Sequence, residues 1–107
     1  MANPLGTITL IGRSGSSYQF NIWGRSTKFN PAAAVYVQSK VASNGKYDII
    51  YVGQTGDLSQ RPLDHHKTEC FDRHGADKLL IRAEGNEQTR LNIETDLIQG
   101  YRPPCNG

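Results

Sequence analysis

Apolar and polar residues alternate with a two-residue period along much of the first half of the chain. Residues 7–11 are β-prone, and residues 18–23 set Tyr18, Phe20 and Ile22 against Gln19 and Asn21, the pattern of a half-buried strand. Between them Gly12-Arg13-Ser14-Gly15-Ser16-Ser17 has turn composition, so the two stretches predict a hairpin. Residues 24–31 read as a connector. Residues 33–40 and 47–52 predict a second hairpin around Ser43-Asn44-Gly45, because Asn-Gly supplies the positive φ angles that tight hairpin turns require.

The second half changes period. Gly53-Gln54-Thr55-Gly56-Asp57 breaks the sheet and leads into a helix running to Arg73, with His74-Gly75 as its stop. Ser59 as N-cap keeps Pro62 in the first helical turn, where its missing N–H is tolerated; Asp57 as N-cap would place Pro62 one step too deep. Residues 78–83 predict a short strand. Asn86 caps a second helix to about Gln99, with Leu91, Leu97 and Ile98 on one stripe and Gly100 at its end. The order β-β, β-β, α, β, α predicts an α+β domain: a small antiparallel β-sheet with flanking helices, preceded by an N-terminal β-hairpin. Residues 1–30 read as a hairpin extension without a core of its own, and residues 31–107 as the functional domain.

Composition narrows the classes. At 107 residues there is room for one core and not two. No apolar run is long enough to span a bilayer, and no basic start followed by an apolar stretch marks a secretory signal. Cys70 and Cys105 lack metal-type or redox spacing, so two free thiols in a reducing cytoplasm are expected. The formal net charge of +2 says little, but residues 1–47 carry five basic side chains and no acid, whereas residues 48–107 carry seven basic and ten acidic ones. An acid-free basic half suits a surface that meets phosphate.

Two tyrosines stand out, Tyr36 in Ala34-Val35-Tyr36 and Tyr51 in Tyr51-Val52-Gly53, on strands predicted to pair. Arg61 and His65 follow at i, i+4 spacing and share a helix face. Individually each has an ordinary reading, the tyrosines as core and the Arg–His pair as a solvated face. Taken in order, Ala34-Val35-Tyr36, Tyr51-Val52-Gly53-Gln54-Thr55, Leu58, Arg61, His65, Glu94 and a tail of Pro103-Pro104-Cys105-Asn106 resemble the motif of the GIY-YIG nuclease superfamily. The resemblance spans residues 32–107.

That resemblance implies a metal-dependent endonuclease hydrolysing DNA phosphodiesters, with Glu94 holding one Mg²⁺ (or Mn²⁺) that keeps most of its shell as water and substrate oxygen. Tyr36, with Tyr51 beside it, would help take the proton from the attacking water. A phenol with a pKa near 10 needs nearby positive charge for that task, and Arg61 would supply it and stabilise the phosphorane. His65 would bond a tyrosine or a phosphate oxygen, and Asn106 would orient Glu94 or fix the tail. The residue after the second tripeptide is often lysine in the superfamily and is Gln54 here, which leaves more of the charge work to Arg61, with Lys67, Arg73 and Arg102 as candidates to compensate. DNA is the implied partner, with Arg13, Arg25, Lys28 and Lys67 as backbone contacts and a homodimer or a recruiting protein supplying specificity. The alternative is a catalytically inactive nucleic-acid-binding or protein-interaction module on the same fold.

Two further groupings have ordinary alternatives. His66, Cys70 and His74 fall on one helix face with zinc-type donors, but the ends are two turns, about 11 Å, apart; His66 with Cys70 could form half of a shared site, and a packed Cys70 flanked by surface histidines is the expectation. Tyr18, Phe20 and Trp23, interleaved with Arg13, Arg25 and Lys28, could stack bases along a backbone; extension of the small core is the competing expectation.

Overall fold

The computed structural model describes residues 3–42, 44–60 and 67–106. Among these the chain forms β1 (Gly6–Ile11), β2 (Ser17–Gly24), β3 (Ala34–Val41), β4 (Tyr47–Thr55), a 3₁₀ turn (Leu58–Gln60), α1 (Thr68–Arg73), β5 (Lys78–Ala83) and α2 (Glu87–Tyr101). The fold is α+β: one antiparallel five-stranded sheet, ordered β1-β2-β5-β3-β4, with two helices. β5 lies between the two hairpins. Its run Leu79, Leu80 and Ile81 is buried on both faces of the sheet, the composition a central strand needs.

The two faces bury different things. On one, Ile93 and Leu97 of α2 pack on Val35, Val37, Val52 and Leu80, together with Leu10, Phe20 and Ile22 of the first hairpin. On the other, Tyr36, Ala34, Leu79 and Ile81 pack under Leu58, with Trp23 and Phe29 stacked edge to face at 5.5 Å. Residues of β1 and β2 therefore share a core with the strands that carry the candidate tyrosines. Phe20 is fully buried and cannot serve as a stacking platform for bases.

Local chemistry explains most boundaries. Gly45 adopts φ +82° in the β3–β4 turn, as the Asn-Gly signal requires; Ser43 lies outside the described residues. The α1 stop is a Schellman arrangement. Gly75 at φ +73° donates its N–H to the carbonyl of Asp72, and Ala76 donates to that of Phe71. Asn86 caps α2, its Oδ1 accepting from the Thr89 N–H at 2.9 Å.

Four expectations are corrected. First, β4 does not break at Gly53 but pairs on to Thr55, which faces Ala34 across the ladder. Second, no helix starts at Ser59. Asp57 caps a 3₁₀ turn there, accepting from the Ser59 N–H at 2.8 Å and its hydroxyl at 2.6 Å, and α1 begins at Thr68. Pro62 lies outside the described residues. Third, the buried stripe of α2 is Arg90, Ile93 and Leu97, at i, i+3, i+7, while Leu91 is exposed. The helix runs past Gly100 to Tyr101, and Gly100 serves close packing and not termination: a Cβ there would come within 2.9 Å of the Arg13 nitrogen. Arg102, in the left-handed region at φ 48°, ends it, and Pro103 follows.

The fourth correction concerns the cysteines. Cys70 and Cys105, expected as free thiols, form a disulfide. The tail folds back along the exposed edge of β4, where Cys105 donates its N–H to the Ile50 carbonyl at 3.0 Å. That contact carries Cys105 to α1. Sequence spacing held no sign of it, because the pair is 35 residues apart. No helix among the described residues is long and apolar enough to cross a membrane.

Candidate functional site

Tyr36 and Tyr51 lie on neighbouring strands with ring centroids 6.2 Å apart. Tyr36 faces Gly53 across the ladder, and Gln38 faces Tyr51. The glycine is what lets the rings in: a Cβ at Gly53 would lie 2.6 Å from the Tyr36 hydroxyl and 2.9 Å from the Tyr51 ring. Immediately beyond, the register shifts so that Ser39 faces Ile49, leaving Ile50 as an extra residue on β4. This bulge turns Ile50 towards Phe71, Ala76 and Cys105 and marks the place where the ladder changes aim.

Burial pushes the Tyr36 phenol well above its ordinary pKa, and the neighbouring Tyr51 and the charge of Glu94 push it the same way. Tyr51 is also raised, by burial and then by Glu94, while the adjacent Tyr36 hydroxyl opposes the rise. Glu94 itself is half-buried, and its carboxyl is raised by burial. It forms no ion pair among the described residues, whose pairs are Arg25–Asp72, Arg73–Glu69 and Lys78–Asp77. The charge of Glu94 is felt by both phenols, and a partly desolvated carboxylate is the kind of oxygen donor that hard divalent ions take.

Asn106 grips β4. Its Oδ1 accepts from the Val52 N–H and its Nδ2 donates to the Val52 carbonyl, both at 2.9 Å. The amide thus caps the open edge of the strand beside Tyr51, and it fixes the tail where it was expected either to do so or to orient Glu94. Lys67 supplies a cation to the same corner. Its Nζ donates to the Cys105 carbonyl at 2.6 Å and sits 5.9 Å from the Tyr51 ring centroid. Phe71 packs on the far side of the cluster, 5.2 Å from Tyr51. Arg61 and His65 lie outside the described residues, as does His66.

The other proposed backbone contacts divide. Arg25 is committed within the fold, 2.6 Å from Asp72 and donating to the Ala76 carbonyl. Arg13 and Lys28 are exposed. Sequence reasoning missed Arg90, a buried guanidinium on α2. Its Nε donates to the Gln54 Oε1 at 2.9 Å, and its Nη1 donates to the carbonyls of Glu84 and Gly85. The amide at position 54 therefore touches a positive charge after all. The available signal was its place on the apolar stripe, three residues before Ile93 and seven before Leu97. Gln38 was also missed: it is fully buried beside Tyr51, and neither amide atom has a hydrogen-bond partner among the described residues.

The chain matches no protein-family model, and no curated protein and no solved structure gives a significant match.

Proposed function

We propose that this chain is a divalent-metal-dependent endonuclease of the GIY-YIG type, hydrolysing DNA phosphodiester bonds. The observation that carries the reading is the adjacent pair Tyr36–Tyr51, ring centroids 6.2 Å apart, lying within the field of a half-buried Glu94 that has no ion pair among the described residues. Glu94 would hold the ion, and a bound Mg²⁺ or Mn²⁺ would supply Lewis acidity at a phosphate oxygen. Protons compete for Glu94 at a higher pH than for an ordinary glutamate, so metal affinity falls as acidity rises.

Both phenols keep their protons at neutral pH. Tyr36 therefore does not wait as a phenolate base. Its oxygen would present lone pairs to the attacking water and orient it beside Tyr51. As the water's proton reaches Tyr36, the phenol pair would release one proton to solvent at the half-exposed side of Tyr51. Lys67 over the Tyr51 face and Arg90 behind Gln54 contribute fixed positive charge near the scissile phosphate. Asn106 acts as a positioning residue by holding the β4 edge in place.

Supercoiled, branched and single-stranded DNA incubated with Mg²⁺, Mn²⁺ or EDTA test the reading. Cleavage that requires the metal and leaves 5′-phosphate ends supports it; DNA left intact under every metal condition removes it. The inactive-module alternative draws on the same raised phenols, and it predicts DNA binding in those assays without cleavage.

A further inference from the structure

The disulfide has a neighbour that the candidate nuclease site does not use. The ligating atoms of Cys70, Cys105 and His74 all lie within 4.8 Å of one another. Cys105 is buried, Cys70 is half-buried and His74 is exposed at the C-terminal end of α1. We propose that reduction of the Cys70–Cys105 bond converts this corner into a zinc site with two thiolates and one imidazole. The ligand chemistry is soft, as Zn²⁺ prefers and Mg²⁺ does not. It is separate from the oxygen donors at Glu94, and the proposal stands whether or not the chain cuts DNA.

The geometry asks little of the backbone. Tetrahedral zinc with two sulfurs and one nitrogen holds its donors roughly 3.5–3.8 Å apart. The sulfurs would open from bonding distance, and the imidazole would close from within 4.8 Å, which side-chain rotation of an ångström or two accomplishes. Lys67 bonds the Cys105 carbonyl, and its positive charge favours the thiolate that ligation requires. An open hollow lined by His74, Ile50, Asp48 and Tyr101 adjoins the imidazole, so the His74 side of the corner is reachable from solvent.

The chemistry balances as follows. A dithiol reductant attacks one sulfur and is itself oxidised to a disulfide, leaving Cys70 and Cys105 as thiols. Zinc then displaces their two protons. Either linkage, S–S or S–Zn–S, ties the tail bearing Asn106 to α1, whereas the reduced, metal-free chain has neither.

The test uses the full chain, reduced with a phosphine, desalted without oxygen and titrated with Co²⁺ followed by Zn²⁺. The reduced protein is expected to take one Co²⁺ with thiolate charge-transfer absorption and tetrahedral visible bands, both erased by Zn²⁺; the oxidised protein gives neither. His74→Ala should weaken binding at least about tenfold while thiol counting shows the disulfide still forming in air. Thermal melting provides a second reading: at equal Zn²⁺ concentration the Tm of the reduced wild type should rise more than that of reduced His74→Ala. Reduced protein that gives no cobalt spectrum, or His74→Ala binding as tightly as wild type, overturns the proposal.

Discussion

At the scale of single residues, the tyrosine pair depends on one missing Cβ. Gly53 has no unusual φ among the glycines that do; its role is space, since any side chain there meets the Tyr36 ring and hydroxyl. Gly53→Ala is therefore expected to cost about 1–3 kcal/mol in urea unfolding, the range for overpacking a filled site, and to displace Tyr36. A variant as stable as wild type would show that the rings tolerate the methyl group. Arg90 is the second such point. Truncation to Met in Arg90→Met strands Gln54 Oε1 and two carbonyls, and a loss of roughly 2–4 kcal/mol is expected from three bonds to a charged donor. Arg90→Lys should not restore it, because an ammonium cannot reproduce the fork. Gln38 runs the other way. Its amide is buried without a partner among the described residues, so Gln38→Leu is expected to leave Tm unchanged or raise it. A marked fall in Tm would mean that the amide is satisfied.

At the scale of elements, the first hairpin is locked to α2 through Asp96. Its carboxylate accepts from the Ser14 N–H at 2.9 Å, the Ser14 hydroxyl at 2.7 Å and the Tyr18 hydroxyl at 2.7 Å, and its carbonyl accepts from the Arg13 N–H. The Ser14 and Tyr18 bonds hold the Asp96 carboxyl below its ordinary value near 3.8. A depressed folded pKa means that the stabilisation is fully present above the unfolded value and disappears as pH falls through the folded one. Asp96→Asn should accordingly lower Tm at pH 7, while the gap to wild type closes in acid below about pH 4. A gap that is constant with pH would assign the effect to shape and not to charge. Such long-range locks explain where reading from sequence stopped. Strands with a clear two-residue alternation and the Asn86-capped helix were legible, because period and caps are local. Leu91 misled because an arginine occupies the core stripe, and the start of the first helix misled because Asp57 spends its cap on a single 3₁₀ turn. Tyr36, Tyr51 and Glu94 were legible as candidates, but the state of the phenols was not, since burial and the charge of Glu94 raise both.

At the scale of the whole molecule, one sheet and one tail bring the candidate site together. β5 enters between the hairpins, the tail adds to the free edge of β4, and the disulfide fastens it to α1. A cross-link spanning 35 residues is worth about 3–4 kcal/mol by loop entropy. Reduction without added metal should lower stability by that order in urea melts, and an unchanged midpoint would mean that the tail needs no covalent tie. None of this was available from cysteine spacing, because the approach of Cys105 to Cys70 is created by a tail running along a strand edge. The central claim, that Glu94 beside the phenol pair makes the site catalytic, is tested most directly by single-turnover cleavage of supercoiled plasmid with Mg²⁺. Glu94→Gln keeps shape and removes the charge. A rate reduced by about 10³-fold or more, with DNA affinity preserved, is the predicted result; cleavage by Glu94→Gln at the wild-type rate would contradict the account.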